Sequence, residues 1–388
     1  MMNTIKDKVA ICGIGETKYY KRGTAPVPEF RLACEAIIKA AGDAGIAVTD
    51  IDGFASYSNE RNDASRVATA LGLPHFSFSN MFWGGGGGGG SGAVANAAAA
   101  VAAGYAKYVV VFRALAQGQF GRFGQAAPAK SISGDFAYTL PYGLMSPAQM
   151  FAMRVRRFMH EHHVEQEAFA AVALAAYHHA QYNPRAVMYG RPLTREAYYE
   201  SRWIVEPFHL YDCCLENDGA AACIVTTAER ARDLKPKPAY LMAAAQGSDY
   251  RQNAPAHNAP DYATSNFKTL APRLFEMAEI GPQDVDVLQA YENFTGGVVM
   301  SLVEHGFCDA DAVMGFCTYE NFAWPNGKLP LNTSGGNLAE CYMHGLELVL
   351  EAVRQVRGTS TCQVKDAEIS MVVSGPMVTP VSSLILHG

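Results

Sequence analysis

The feature that most constrains this 388-residue chain is a run of seven consecutive glycines at residues 84–90. Each glycine in a regular element costs roughly 0.5–1 kcal/mol more chain entropy than alanine, and a whole domain is stable by only about 5–15 kcal/mol. The run leads into Ser91-Gly92 and an alanine-rich stretch at residues 93–103, which predicts a helix with Ser91 as its N-cap. Backbone N–H groups would then converge on a helix start that suits an oxyanion or an acyl carbonyl.

The alternative to an ordered turn is a flexible surface linker, which glycine-rich tracts often form. Phe82 and Trp83 precede the run, and four alanines and a valine follow at residues 97–101. Both flanks are apolar and are predicted to be buried, which is unusual for a linker. The ordered turn is therefore favoured.

Composition and charge argue against several classes of protein. The net charge is −6 and no basic tract is present, so a nucleic-acid partner is not expected. The apolar region at residues 92–112 is alanine-rich and interrupted by Asn96 and Lys107, whereas a membrane span needs about 20 strongly apolar residues. Residues 1–8 lack the apolar segment of a signal peptide, and the nine cysteines lack the C-x-x-C spacing of zinc sites. We therefore expect a cytoplasmic protein with reduced thiols and no bound metal.

Short apolar runs alternate with helical patterns along the chain, which predicts an α/β architecture. Both parts of the chain contain, in the same order, a helix ending at glycine, an acidic turn, a Ser-Gly helix start and a buried strand. These features lie at residues 45, 50–52, 91–92 and 108–112, and again at 281, 284–286, 334–336 and 369–374. We predict two similar halves, residues 1–235 and 236–388, with an inserted loop region at about residues 113–203.

Four segments carry a family resemblance over essentially the whole chain. They are VAICGIGETK at residues 9–18, NP at 183–184 with DGAAA at 218–222, YENFT at 291–295, and LAECYMHG at 338–345. In this order they resemble the sterol-carrier-protein-type branch of the thiolase superfamily. The resemblance implies a thiolase fold, with two α/β halves in five αβαβα layers, and a homodimer.

The same comparison of motifs leaves the chain without the thiolase nucleophile and base. The family's cysteine, two residues before the Ser-Gly helix start, falls on Gly89, and its active-site histidine falls on Tyr342. The first residue of the family's His-Asp-Cys-Phe motif falls on Tyr291, and the late cysteine corresponds to Ser374. No thiol remains to form an acyl-enzyme, and no histidine stands at the expected place to activate one. Thiolase chemistry is therefore not expected.

Two tyrosines over a glycine-built anion site resemble the steroid side-chain-cleaving aldolases of this superfamily, which are lipid-transfer-protein-type retro-aldolases. That resemblance implies retro-aldol cleavage of a β-hydroxyacyl-CoA to a ketone and a shorter acyl-CoA, through an enolate and without a cysteine nucleophile. Tyr291 is the expected base, and Tyr342 its partner or the acid that protonates the enolate. Backbone N–H groups of Gly89, Gly90 and Gly375 are the expected donors to the thioester oxygen. A tyrosine, with an ordinary pKa of about 10, needs a lowered pKa or a concerted transfer to act as base.

Other residues near these motifs carry weaker expectations. Arg154 and Arg157 lie three apart on one predicted helix face, where they would meet a CoA phosphate or simply face solvent. His344 lies two residues from Tyr342, so it is expected behind the catalytic pair or at the surface. Cys341 is expected to be a packing residue.

The resemblance also implies partners and leaves alternatives open. It implies a small OB-fold partner protein in a heterotetramer, and no cofactor besides the coenzyme A of the substrate. The alternatives are a catalytically degenerate thiolase-like protein that binds acyl-CoA or lipid, and an acyl-CoA acyltransferase that uses another thiol. Tyr291 and Tyr342 would then be ordinary core aromatics.

Overall fold

The computed structural model describes residues 5–84, 86–120, 132–252 and 257–388. Its strands are β1 (Val9–Glu16), β2 (Tyr20–Lys21), β3 (Gly53–Tyr57), β4 (Phe78–Phe82), β5 (Val109–Ala116), β6 (Trp203–Val205), β7 (Phe208–His209), β8 (Asn217–Thr227), β9 (Ala239–Gly247), β10 (Val287–Ala290), β11 (Ile369–Ser374) and β12 (Val381–His387). Its helices are α1 (Glu29–Ala44), α2 (Ala64–Leu71), α3 (Gly89–Ala102), α4 (Pro147–His162), α5 (Gln166–Ala180), α6 (Arg195–Glu200), α7 (Ala228–Arg232), α8 (Leu270–Ala278), α9 (Thr295–Glu304), α10 (Val313–Phe316), α11 (Tyr319–Phe322) and α12 (Leu346–Arg357). Within these described ranges, no helix is both long and apolar enough to cross a membrane.

Ten strands form one mixed sheet, in which β2 pairs with β8 at the side and the other nine form two parts with the same strand order. The first part runs β4-β3-β5-β8-β1, and the second runs β10-β11-β12-β9. A parallel bridge from Leu288 to Leu331 marks the position beside β10 that corresponds to β4. The parts meet where β1 and β9 pair antiparallel at Ala10–Tyr240 and Ile11–Ala239. The predicted repeat of two similar α/β halves is therefore confirmed, while the domain boundaries at residues 235, 113 and 203 stay predictions.

Helices α3 and α12 form the middle of five layers. Helix α3 contacts strands of its own half and also β9 and β12 of the other half, and α12 contacts β1 and β8 as well as β10 and β11. Helix α1 covers β1, β5 and β8 on one outer side, and α8 covers β9 and β12 on the other. Helix α3 can lie between strands of both halves because it is built from small apolar residues and is apolar all round. This is the predicted αβαβα arrangement.

Two local expectations about the polyglycine run are wrong. Residues Gly86–Gly88 form a 3-10 turn, and helix α3 begins at Gly89 with Gly88 as N-cap, so Ser91 is inside the first turn instead of capping it. Trp83 is 88% exposed, although Phe82 is buried as expected. Gly85 lies outside the described residues, as does the segment 121–131 of the predicted insertion.

The helix begins early because serines of the second half bond to polar groups of its first turn. The Ser91 N–H donates to the Ser374 hydroxyl over 3.1 Å, and the Gly92 N–H donates to the Ser382 hydroxyl over 2.8 Å. The Ser382 hydroxyl in turn donates to the Gly88 carbonyl, so it is inserted between the first carbonyl and amide of the helix. Strands β11 and β12 thus supply the caps that the local sequence lacks.

The close packing of α3 predicts opposite effects for two glycine-to-alanine changes in helices. A Cβ at Gly92 would fall 2.3 Å from the Phe82 ring, whereas a Cβ at Gly42 in α1 meets nothing within 4 Å. We expect Gly92→Ala to lower the free energy of unfolding by roughly 1–3 kcal/mol because the ring must move. The matched control Gly42→Ala should raise it by about 0.5–1 kcal/mol. Urea unfolding of both variants measures this, and equal effects would contradict the packing.

Candidate active site

The two predicted catalytic tyrosines are in direct contact. Tyr291 follows β10, Tyr342 follows a π-turn at Gly336–Glu340, and their hydroxyl oxygens are 2.8 Å apart in a hydrogen bond. Both side chains are buried, with 1% and 5% of their surfaces exposed. Two residues that are 51 positions apart in the sequence therefore form one polar pair inside an otherwise apolar cluster.

Backbone hydrogen bonds to two different strands position this pair. The Tyr291 N–H donates to the Val373 carbonyl of β11 over 2.9 Å. The Tyr342 N–H donates to the side-chain oxygen of Asn217, the first residue of β8, over 2.6 Å. Because β8 belongs to the first half and β11 to the second, the pair forms only when both halves are folded together.

The polyglycine turn packs directly against the tyrosine rings. A Cβ at Gly87 would fall 2.0 Å from Cζ and 2.4 Å from the hydroxyl oxygen of Tyr291, and one at Gly89 would fall 2.4 Å from Tyr57. No residue with a side chain fits at either position without displacing a ring. The run is therefore a close-packing element.

The predicted oxyanion-binding glycines lie together at this place. Gly89 and Gly90 are the first two residues of α3, where N–H groups have no partner within a helix. Gly375 has a φ of +68°, and a Cβ there would fall 2.1 Å from the Gly88 nitrogen. The structure thus brings all three glycines to the polyglycine turn, whose Gly87 packs on Tyr291, and their role as donors to a thioester stays a prediction.

The tyrosines are held in their neutral forms. Burial raises the pKa of Tyr291 well above its usual value, and the neighbouring Tyr342 raises it further. Burial, and secondly Cys214, also raise the pKa of Tyr342 well above its usual value. A base with a lowered pKa, one of the two possibilities considered from the sequence, is therefore contradicted, and the concerted transfer remains.

His344 lies inside the site rather than at the surface. It is 2% exposed, and its ring centroid is 5.4 Å from that of Tyr342 and 5.9 Å from that of Tyr57. Its Nδ1 accepts a hydrogen bond from Nε of Arg113 over 3.3 Å. Burial lowers the pKa of His344 well below its usual value, and the charge of Arg113 lowers it further. An imidazole is thus present in the pocket, two residues away from the position where the family motif has one.

Two cysteines near the tyrosines remain protonated thiols. Cys341 is fully buried, as expected of a packing residue, and burial raises its pKa well above the usual value. Burial, followed by Glu216 and Glu292, raises the pKa of the half-buried Cys214 to about 12. Because the thiolate is the nucleophilic form, neither residue supports an acyl-enzyme.

A pair of buried carboxyl groups lies behind the tyrosines. Asn337 joins them: its side-chain oxygen accepts the Glu292 N–H over 3.0 Å, its own N–H donates to Glu292 Oε2 over 2.9 Å, and its amide nitrogen donates to Glu347. Burial raises the pKa of Glu292 to about 8 and that of Glu347 well above its usual value. Glu292 is therefore largely protonated near neutral pH, and burial favours the protonated form of Glu347 as well.

The expectation that Arg154 and Arg157 share one ligand-facing surface is wrong. Arg154 is 1% exposed, donates to the Met377 carbonyl over 3.0 Å and contacts His257 Nδ1 at 2.6 Å. Arg157 is exposed and pairs with Glu161. The boundary between the buried and exposed faces of α4 runs between them, because the buried face of this amphipathic helix includes position 154 but not 157.

Arg157 nevertheless lines a surface groove of about 690 Å³. The groove is lined by charged, polar and apolar side chains, among them Tyr142, Leu144, Met153, Arg156, Arg157, His160 and the acidic Glu206. A role of this groove in CoA binding stays a prediction.

Comparisons with known proteins decide the family. A steroid side-chain-cleaving aldolase of Thermomonospora curvata is 39% identical, over 99% of both chains. A 17-hydroxy-3-oxo-4-pregnene-20-carboxyl-CoA lyase of Mycobacterium tuberculosis is 38% identical, over 98% of this chain and 100% of its own. This chain belongs to the steroid side-chain-cleaving aldolases. Residues 248–387 also match the thiolase C-terminal domain-like family.

Solved structures place this aldolase in the thiolase fold. A structure named Ltp2-ChsH2(DUF35) aldolase superposes with a TM-score of 0.92, at 38% identity and over 99% of both chains. An acetyl-CoA acetyltransferase from Syntrophomonas wolfei superposes with a TM-score of 0.71 at 15% identity, covering 98% of this chain and 99% of its own, and so shares the fold alone.

Sequence reasoning missed two side chains of the candidate site, Tyr57 and Arg113. The Tyr57 hydroxyl donates to the His344 carbonyl over 3.0 Å, and Arg113 contacts the imidazole of the same residue. One signal was available: Arg113 follows directly on the apolar strand residues VVVF, where an unpaired charge is costly. Tyr57 carried no such signal.

The raised pKa of Glu292 predicts a pH-dependent stability. Between its ordinary value of 4.5 and the folded value of about 8, the unfolded chain is ionised while the folded protein stays protonated. The free energy of unfolding therefore falls as pH rises through this window, by up to about 1.4 kcal/mol per pH unit. Glu292→Gln cannot ionise, so its stability should fall less between pH 5 and 8.

Urea unfolding at pH 5, 6.5 and 8 compares the slopes of the wild type and the variant. The same substitution at the exposed Glu276 is the control and should leave the wild-type slope unchanged. Identical slopes for Glu292→Gln and the wild type would show that this carboxyl group does not titrate in the window.

Proposed function

We propose that this protein catalyses retro-aldol cleavage of a β-hydroxyacyl-CoA with a steroid-derived side chain, releasing a ketone and a shorter acyl-CoA. One observation carries the proposal: the hydroxyl groups of Tyr291 and Tyr342 are hydrogen-bonded, 2.8 Å apart, and both side chains are buried where the polyglycine turn packs on Tyr291. The names of both relatives support the substrate class. One cleaves steroid side chains, and the other acts on a 17-hydroxy steroid whose position 20 carries a carboxyl-CoA group.

The first step is a proton relay through two neutral phenols. The oxygen of Tyr291 accepts the proton of the substrate β-hydroxyl while its own proton passes to the Tyr342 oxygen, along the hydrogen bond in which Tyr291 is the donor. In the same step Tyr342 releases its original hydroxyl proton toward Cα, so neither phenol gains or loses a charge. The electron pair of the Cα–Cβ bond moves to the thioester as that bond breaks, and the β-carbon leaves as a ketone. A concerted relay is required because burial disfavours a stored phenolate.

The second requirement is stabilisation of the enolate oxygen. The N–H groups of Gly89 and Gly90 at the start of α3 would donate to it, with the positive end of the helix dipole behind them. The turn at Gly375 packs against Gly88 and holds this donor set in place. One pre-oriented donor of this kind is worth roughly 3–4 kcal/mol.

The relay closes as the original hydroxyl proton of Tyr342 reaches Cα of the enolate while Tyr342 takes up the proton of Tyr291. The β-hydroxyl has then lost one proton and Cα has gained one, so the reaction needs no net proton and no redox partner. We therefore propose that the enzyme uses no cofactor besides the coenzyme A that is part of the substrate. Arg157, with Arg156 and His160 in the groove along α4, would contact the CoA phosphates.

We propose that the enzyme acts as a homodimer with a small OB-fold partner protein, in a heterotetramer. Strand β4 forms the free end of the sheet, and its Met81 and the adjacent Trp83 are exposed, which suits pairing with a second copy. The name Ltp2-ChsH2(DUF35) aldolase contains a second component and supports a partner. All nine cysteines are free thiols, which supports a cytoplasmic location.

Removing the Tyr291 hydroxyl tests the proposal. Cleavage of a tertiary β-hydroxyacyl-CoA is measured with and without the partner protein. We expect Tyr291→Phe to lower kcat by about 10³-fold or more and Tyr342→Phe by about 10²-fold or more, since acid–base groups contribute 10²–10⁴-fold. The matched control Tyr177→Phe, a buried tyrosine in the apolar core, should leave kcat and the melting temperature unchanged.

The remaining outcomes separate the alternatives. Thiolysis of a 3-oxoacyl-CoA by free CoA would support an acyltransferase instead. Binding of acyl-CoA with neither reaction, even with the partner present, would support a catalytically degenerate binding protein. A Tyr291→Phe enzyme that keeps most of its turnover would remove Tyr291 from the role of base.

A further inference from the structure

Glu60, Arg113 and His344 form a chain of three buried side chains that ends in the site. The guanidinium of Arg113 on β5 pairs with Glu60 over 3.0 Å, and both side chains are fully buried. Nη2 of Arg113 donates to Asn59 over 2.6 Å, and Nε donates to Nδ1 of His344 over 3.3 Å. Three nitrogens of the guanidinium are therefore fixed by different partners.

This chain determines which imidazole nitrogen carries the proton. A guanidinium has only donors, so Nδ1 of His344 must be the acceptor and the proton of the neutral ring must be on Nε2. Protonation of Nδ1 would place its N–H against the Nε–H of Arg113 and would add a second positive charge to a buried site. Burial and the charge of Arg113 accordingly lower the pKa of His344 well below its usual value.

The backbone of His344 is fixed as well. It has a φ of +59°, and the Tyr57 hydroxyl donates to its carbonyl over 3.0 Å. Ionic and titratable side chains are packed around the ring from several elements. They are Arg113 from β5, Tyr57 from β3, Tyr291 after β10, and Tyr342 two residues earlier in the chain. Behind them, Glu60 pairs with Arg113 and Glu347 bonds to Asn337.

Nε2 of His344 faces the polyglycine turn. A Cβ at Gly86 would fall 3.7 Å from this nitrogen, and the ring centroid lies 6.4 Å from that of Tyr291. The nitrogen that carries the proton is thus on the side of the pocket where the tyrosines and the start of α3 meet.

We propose that His344 is a further catalytic residue: its Nε2–H donates a hydrogen bond to the thioester oxygen of the substrate as the enolate forms. Arg113 is the positioning residue that fixes this tautomer of His344. The proposal rests on the proposed retro-aldol function. No proton is transferred: the ring stays neutral throughout, and its N–H adds to the donors at the start of α3. A ring whose Nδ1 is held by a guanidinium cannot relay protons, so His344 is not the base.

The tautomer is tested first, independently of activity. ¹⁵N-histidine NMR of the protein, with the His344 signals assigned by their loss in His344→Gln, should show a neutral Nε2–H ring from pH 5.5 to 8.5. In the double variant Glu60→Gln/Arg113→Met, which removes both charges together, the same signals should shift with pH or show both tautomers. A protonated or Nδ1–H ring in the wild type, or an unchanged spectrum in the double variant, would overturn the proposal.

Three substitutions of His344 test the donor in catalysis, with the partner protein present. Glutamine places an N–H near the position of Nε2, asparagine reaches only as far as Nδ1, and leucine has no donor. We expect kcat to fall about 10²–10³-fold in the asparagine and leucine variants. In the glutamine variant the factor by which kcat falls should be at least ten times smaller. The asparagine variant is the folding control, because asparagine tolerates the positive φ best, and melting temperatures are measured for all three.

Equal kcat values for the glutamine and leucine variants, with intact folds, would overturn the donor role. If the wild type cleaves no β-hydroxyacyl-CoA, the proposed function fails, and the NMR result still decides whether Arg113 fixes the tautomer. The two failures are therefore distinguishable.

Discussion

The site depends on the contact between the glycine backbone at the start of α3 and aromatic rings that occupy the space where side chains would otherwise lie. Gly87 packs on Tyr291, Gly89 on Tyr57 and Gly92 on Phe82 at distances that no Cβ tolerates. A glycine run is normally entropically costly. Here the cost is offset by burial of large aromatic surfaces, each worth about 1.5–3 kcal/mol. The same contact brings helix amides next to a phenol, so packing and chemistry have one origin.

This contact exists only because the two halves of the molecule complete each other. The first half provides the polyglycine turn and α3, while β11 and β12 of the second half provide Ser374 and Ser382, which bond to the first amide and carbonyl groups of that helix. Tyr291 also comes from the second half. Neither half contains a complete site. The repeated strand order, and the pairing of β1 with β9, are therefore what place the tyrosines over the helix start.

Burial sets the chemical character of the pocket. In a low-dielectric interior, charged forms are disfavoured unless they are paired, and so Tyr291, His344 and Glu292 are held neutral. The charges that are present, on Arg113 and Glu60, neutralise each other. A site of this kind suits a reaction that moves a proton through neutral groups and develops negative charge on one oxygen. Pre-oriented N–H donors then act in an environment where water does not screen them.

The sequence by itself determined the α/β halves and a helix after the polyglycine run, because these follow from local periodicity and composition. The family resemblance of motifs in a fixed order indicated Tyr291 and Tyr342 as partners. Only the tertiary structure decided the start of α3, the burial of Arg154, and the place of His344 inside the pocket. In each case the deciding partner is distant in the chain: Ser382 for the helix, a carbonyl of the second half for Arg154, and a guanidinium on β5 for His344. Local propensity contains no information about such partners, since they meet only when the two halves pack.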